Sequence, residues 1–392
     1  MDLLKKLLLV AAISTVANIA PAQTWTQTSA PIRSWSWVAS SADGSKLVAV
    51  TTHTSVPKGI YVSTNSGATW GLVLSVSASC VAASADGSCL VALSDTSPSQ
   101  SVYTSTSFGS TWQQSSPVHV SGNWISVASS ADGKSLIGLN DSFGGATYLS
   151  KDAGTSWAPA GAVPLGGFCV ASSADGLKLV AALSDNRIYS STNSGTTWRT
   201  NIALSGSWMS VASSADGTRL IAATFGGKVY TSSNSGTTWK TNSVPGANWN
   251  AVASSADGSK LLAAIQGGQI YSSTNSGTTW KTNDAPSTSW TSLACSADGN
   301  LRVAADYGNG ITGGGIWICQ TMPSPHLNFT HSFTNLALAW MIPSTNFVLQ
   351  QSSNLASWTT VTNPPALDLT NLQNELSLMP SNNAGFYRLK MP

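Results

Sequence analysis

The stretch SVASSADGTRLIAATFGGKVYTSSNSGTTWKTN, residues 210–242, decides the fold, because most of it recurs along the chain. It reads as a strand (SVASS), an Asp-Gly turn at Asp216 and Gly217, a second strand (LIAA), a variable loop and a third strand (VYTSS). A second turn, NSGTTW, then leads into a fourth strand, WKTN. Alternating apolar residues between Gly, Asn, Asp and Ser clusters are strand and hairpin signals, and an Asp-Gly step supplies the positive φ of a tight turn. The string SADG occurs seven times, with its aspartates at Asp43, Asp86, Asp132, Asp175, Asp216, Asp257 and Asp298, at spacings of 43, 46, 43, 41, 41 and 41 residues. Four strands in each such period is the pattern of a propeller blade, so an all-β, seven-bladed β-propeller is expected over residues 23–320.

The ends of the array predict how the ring closes. After the seventh SADG come a second strand (LRVAA) and a third (GGGIWICQ), with no second turn and no fourth strand. The missing strand is at the other end: Thr24 to Pro31 (TWTQTSAP) repeats the pattern of Thr279 to Pro286 (TWKTNDAP). Pairing the two ends would remove exposed sheet edges.

The six second turns are STNSGATW (63–70), STSFGSTW (105–112), SKDAGTSW (150–157), STNSGTTW (191–198), SSNSGTTW (232–239) and STNSGTTW (273–280). They resemble the Asp-box, S-x-D-x-G-x-T-W, of sialidases, xyloglucan-cleaving propellers, sortilin-type receptors and photosystem assembly propellers. The resemblance implies the propeller fold and leaves activity open. The chain departs from the motif by carrying Asn65, Asn193, Asn234, Asn275 and Ser107 in place of the aspartate, which only Asp152 retains. An Asn or Asp there accepts bonds from turn amides, and a Trp covers the hairpin, so the boxes read as structural turns. The Asp-Gly carboxylates read in the same way, as caps of their own turns.

Composition narrows the function. Of 392 residues only 9% are charged, 18 Lys and Arg against 16 Asp and Glu, for a net charge of +2. That gives no electrostatic case for nucleic acid. The hydrophobic content of 42% is enough for a sizeable core. The only glutamate is Glu375, outside the repeats, and the repeats hold only Arg33, Arg187, Arg199, Arg219 and Arg302. The sialidase resemblance would imply an arginine cluster, a tyrosine nucleophile and a glutamate, so that activity is disfavoured. His53, His119, His326 and His331 form no triad or metal pattern, and no cofactor or metal is expected.

Strand parity places both turn types at one end of each blade. The variable loops share the opposite face, where function on a rigid scaffold is usually carried. Two residue sets map there. Trp35, Trp124, Trp208, Trp249 and Trp290 each precede an Asp-Gly aspartate by eight residues. They form either a ligand-stacking ring near the central channel or wedges between blades, and Ala78 and Gly167 at the same position suggest a groove. Asp95, Asp141, Asp185 and Asp306 follow second strands. They are either turn residues or, if two lie about 5–9.5 Å apart, the acid and base of a glycoside hydrolase; a calcium site is the further alternative.

Residues 1–22 read as a secretory signal, with Lys5 and Lys6 before an apolar run from Leu7 to Ala20 and cleavage before Gln23. Ser14, Thr15 and Asn18 interrupt the run, which is shorter than the roughly 20 residues of a membrane span. The expected location is secreted or at the cell surface. Cys80, Cys89, Cys169, Cys295 and Cys319 are odd in number; Cys80 and Cys169, at equivalent places in the repeat, read as small buried strand residues, and a bridge from Cys80 to Cys89 is left open. Residues 321–326 read as a linker and 327–392 as alternating strands. FVLQQSSNLASW (347–358) and FYRL (386–389) resemble small immunoglobulin-like modules of exported bacterial proteins, which implies a C-terminal β-sandwich. The combined expectation is a non-catalytic module that binds a glycan or an extracellular protein, with a glycan-cleaving propeller as the alternative.

Overall fold

The computed structural model describes residues 24–51, 58–94, 101–115, 123–141, 146–160, 167–183, 185–201, 206–308, 313–321, 328–331, 336–341, 348–353, 357–362, 365–368, 373–378 and 386–390. The expected signal segment, Asp95, His53, His119, His326 and all but the first residue of the expected linker lie outside them. The described residues form an all-β propeller with no helix. Five separate four-stranded antiparallel sheets follow one another in the chain, the first built from Trp35–Ser40, Leu47–Thr51, Ile60–Ser63 and Gly71–Leu74. A further eight-stranded sheet consists of two such units joined where Gln266 pairs with Ser289 and Gly268 with Thr288.

Each letter of SADG has a separate physical task. The serine hydroxyl donates to the aspartate, as Ser41 Oγ does to Asp43 Oδ1 at 2.6 Å, and accepts from the amide of Lys46 at 3.0 Å. The aspartate also accepts the Ser45 amide at 2.9 Å, so the carboxylate caps its own turn. The glycine has φ between 63° and 74° in all seven copies, and in six of them a Cβ there would lie under 3.0 Å from a side chain of the preceding repeat, Lys46 for Gly87 and Arg219 for Gly258.

The alanine makes a bond that the sequence does not announce. Ala42 donates its amide to the Ala85 carbonyl, Ala85 to Ala131, Ala131 to Ala174, Ala174 to Ala215, Ala215 to Ala256, Ala256 to Ala297, and Ala297 back to Ala42, all at 2.7–2.8 Å. Seven turns thus form one closed hydrogen-bonded ring. Basic side chains reinforce it at the rim: Lys46, Lys178 and Lys260 donate to the carbonyls of Asp86, Asp216 and Asp298 at 2.8 Å, and Arg219 to that of Asp257 at 3.0 Å.

The second turns lie beside the first, as parity predicts: Ser66, Phe108, Ala153, Ser194, Ser235 and Ser276 donate their amides to residues of the Asp-Gly turns. These six also have φ of 49–57°, so the left-handed conformation covers the residue before the glycine as well as the glycine. Asn65 accepts the Thr69 amide on Oδ1 and donates from Nδ2 to the Thr69 hydroxyl at 2.9 Å, whereas Asp152 accepts both the Ser156 amide and hydroxyl. A carboxamide facing a threonine oxygen therefore does the same work as a carboxylate. The Trp70 indole donates to the Gly67 carbonyl and covers the hairpin.

Ring closure uses the N-terminal strand. Thr26 and Gln27 pair with Ile318 and Trp317, and the Thr28 amide donates to the Ile316 carbonyl. Trp25 is buried with its ring centroid 6.4 Å from that of Trp290. All five cysteines are free, so Cys80 and Cys89 are not bridged. Cys80 lies in the strand Cys80–Ala83, packed against Trp124, and Cys89 faces Gly133 of the next repeat. Toward the C-terminus, Asn328–His331, Leu336–Met341, Gln373–Leu378 and Ala366–Asp368 form one sheet, and Thr359–Thr360, Val348–Ser352 and Phe386–Lys390 another. The two share a small core of Leu338, Leu349 and Leu376.

Trp25→Ala should destabilise the protein by about 3–5 kcal/mol, read from the denaturant midpoint, because it empties a buried aromatic contact at the closure. Stability should also depend on acid. At Asp86, Asp132, Asp216 and Asp257 burial opposes the charged form, but hydrogen bonds from serine, threonine and turn amides outweigh it and hold these carboxyls below the ordinary 3.8. The unfolded state then binds protons first, so the contribution is fully present above 3.8 and is lost as pH falls below that value. Melting temperatures measured across that window should fall with pH.

Candidate binding face

The loops between second and third strands meet the entry loops of the neighbouring first strands on the face opposite the turns. Asp141, Phe225, Gln266 and Tyr307 donate their amides to the carbonyls of Asn123, Ser207, Asn248 and Ser289. These bonds fix the loop bases and set the rim from which a partner would be met.

The tryptophan ring is a set of wedges and has no face free for stacking. Trp35, Trp124, Trp208, Trp249 and Trp290 are all buried. Each packs edge-on against an aromatic residue of its own third strand: Tyr61, Tyr148, Tyr230 and Tyr271 at centroid distances of 5.2–5.5 Å, and Trp317 at 6.3 Å. The Trp208 and Trp290 indoles donate to the Asn186 and Gly268 carbonyls of the preceding repeats. The physical reason is the space between sheets, which needs a large apolar side chain with one polar tip. The expected groove is also filled. Ala78 is buried among Ile60, Val81 and their neighbours, and a Cβ on Gly167 would meet Leu183 at 2.5 Å and the Ala182 carbonyl at 2.6 Å.

The described loop carboxylates are engaged by neighbouring protein groups. Asp141 is exposed and accepts the Asn123 amide at 2.5 Å. Asp185 accepts the Arg187 amide at 3.1 Å and the Tyr189 hydroxyl at 2.6 Å, and burial, followed by this carboxylate, raises the Tyr189 phenol. Asp306 is buried and accepts the Thr288 hydroxyl and the Gly308 amide, both at 2.8 Å. Among the described residues no group of three or more His, Cys, Asp or Glu side chains could hold a metal ion.

What the sequence reading missed lies one residue further on. After each ring Trp the first strand carries a bulge, between Trp35 and Trp37 and likewise at Trp124, Trp208, Trp249 and Trp290. Ile125, Met209, Asn250 and Thr291 occupy it, and Phe168 follows Gly167 at the same position. With Trp37 they line a central cavity of about 440 Å³, within the size range of ligand sites. A smaller cavity of about 170 Å³ follows toward the turn face, lined by Ser, Ala and Cys295. Phe168, in the large cavity, is 41% exposed, and Phe225, on the loop face, is 45% exposed. The one signal in the sequence was the apolar Ile125, Phe168 and Met209 directly after the ring position; the bulge that turns them inward is visible only in the structure.

The fold has solved counterparts. Two structures are similar over most of the chain: YCF48 from Cyanidioschyzon merolae, at 16% identity and a TM-score of 0.58, covering 76% of this chain and 98% of its own, and a YCF48 bound to D1 peptide, at 17% identity and 0.57, covering 78% and 100%. At that identity the likeness establishes the β-propeller fold. No protein-family model and no curated protein matches the chain.

If Asp306 serves the architecture, Asp306→Ala should lower stability by about 1–3 kcal/mol in urea unfolding, because it leaves a threonine hydroxyl and a buried amide unpaired. Asp141→Ala, at an exposed loop position, should cost measurably less in the same assay.

Proposed function

We propose that this chain is an exported, non-catalytic seven-bladed β-propeller, residues 23–320, that binds or scaffolds a partner at the cell surface, released from a signal segment at 1–22. Residues 321–326 act as a linker to a C-terminal immunoglobulin-like β-sandwich, residues 327–392, in a spacer or attachment role. The observation that carries the binding reading is the uncharged central cavity, together with loop carboxylates already committed to protein partners. A hydrolase needs two carboxyl groups facing one bond with water between them or a nucleophile at hand. Asp141, Asp185 and Asp306 are instead each held by neighbours in the same loop region.

Of the two partner classes, a protein suits the face better than a glycan. The five ring indoles placed for stacking on sugar rings are buried, and the most exposed aromatic side chains are Phe168 and Phe225. The similar YCF48 structure bound to D1 peptide supports the same reading by analogy.

Capture from the extracytoplasmic fraction, with a glycan array and hydrolysis assays on plant and bacterial polysaccharides run in parallel, tests this function. Saturable binding of a protein with no turnover is the expected outcome. Release of reducing sugar that disappears in Asp141→Asn or Asp185→Asn would overturn the non-catalytic reading.

A further inference from the structure

We infer that the central cavity on the loop face is an insertion site for an uncharged, apolar segment of a protein partner, a loop tip or chain end that enters side chains first and does not add as a strand. The inference rests on the binding function proposed above and specifies where and how it acts.

Charge is the first argument. No residue lining the cavity carries an ionisable acid or base other than the thiols of Cys169 and Cys295. Burial pushes the Cys295 thiol up to about 12 and raises that of Cys169 as well, so both are neutral. A charged group entering this space would lose its hydration and find no counter-charge.

The backbone is the second. The innermost strand of each sheet presents an edge to the channel, and an exposed edge is normally where an extended peptide adds. Here side chains of adjacent repeats already occupy the edges. The amides of Val38, Val170 and Val252 donate to the hydroxyls of Ser292, Ser126 and Ser210 at 3.1–3.2 Å. The carbonyls of Trp124, Trp290 and Trp35 accept from Ser79 Oγ, Asn250 Nδ2 and Thr291 Oγ1 at 2.6–3.0 Å. These bonds also engage Asn250 and Thr291, two of the polar residues in the wall. What the wall offers an incoming group is the apolar arc of Trp37, Ile125, Phe168 and Met209.

The third argument is extent. Phe225 donates its amide to the carbonyl of Ser207, two residues before Met209 of the cavity wall, which holds a second exposed phenylalanine on the loop face outside the cavity. A small apolar molecule would be enclosed by the cavity alone; a polypeptide also covers the rim. Aromatic and methionine side chains adapt to varied apolar shapes, which suits such a partner.

The test is an array of end-blocked neutral apolar peptides, each paired with versions carrying a central Asp or Lys, probed with the full chain and followed by anisotropy titrations. Neutral peptides should bind, the charged versions should bind at least about tenfold more weakly, and Phe168→Ser should lose about tenfold or more. Leu72→Ser, at a 45% exposed residue of the outer strand Gly71–Leu74, should change nothing. Ile125→Ser provides a second cavity variant, and circular dichroism verifies that each variant folds. Equal binding of charged and neutral peptides, or indifference to both cavity variants, would overturn the inference. So would binding of the neutral dye phenylnaphthylamine that depends on Phe168 while no peptide binds. A captured partner unaffected by either cavity variant leaves the binding function standing and removes this site; failure to find any protein or glycan partner removes the function itself.

Discussion

Seven amides that each reach the next repeat's carbonyl set the geometry on which the rest of this protein depends. The bond between Ala42 and Ala85 links two turns that are part of no common sheet, and the cycle returns to Ala42 from Ala297. Each bond contributes only about 0.5–1.5 kcal/mol, yet an inward-facing amide without a partner costs more than the bond supplies. The ring therefore fixes the tilt of every inner strand relative to the next. Ala42, Ala85, Ala256 and Ala297 pack together beside it. The serine and aspartate on either side hold the turn in the shape that aims the alanine amide.

The two faces divide the work. On the turn face, six second turns bond to first turns, and four basic side chains reach across to the next repeat. On the loop face, described bonds tie the loop bases to the entry of the first strands, and the loops vary in sequence from repeat to repeat. Recognition can vary there without disturbing the ring.

The fold was legible because its signals are local. An Asp-Gly step, an alternating strand and an Asp-box each specify their own few residues, and repetition at 41–46 residues supplies the architecture. Even closure could be read, since Thr24 to Pro31 copies Thr279 to Pro286. The alanine ring could not, because its partners lie one whole repeat apart and alanine carries no side-chain signal. The tryptophans were placed correctly at the start of the first strands, but sequence alone left their exposure open; the aromatic partner on the third strand is what buries them. For the same reason the cavity wall went unread. A bulge shifts Met209 and its equivalents out of the alternation that a regular strand predicts, and no strand pattern written in one dimension records that shift.

The closing strand has a temporal consequence. Thr26 and Gln27 leave the ribosome first, and their partners near Ile318 leave about 290 residues later. At roughly 5–20 residues per second the first strand waits about 15–60 s before its site exists. During that interval it is an unpaired edge, the kind of segment that joins the wrong chain. It is well suited to waiting, since it is two residues long, polar and still solvent-exposed after it has paired. Trp25 beside it supplies the apolar anchoring that the strand lacks, so the segment that locks the ring carries its affinity in one side chain and little of the hazard in its backbone.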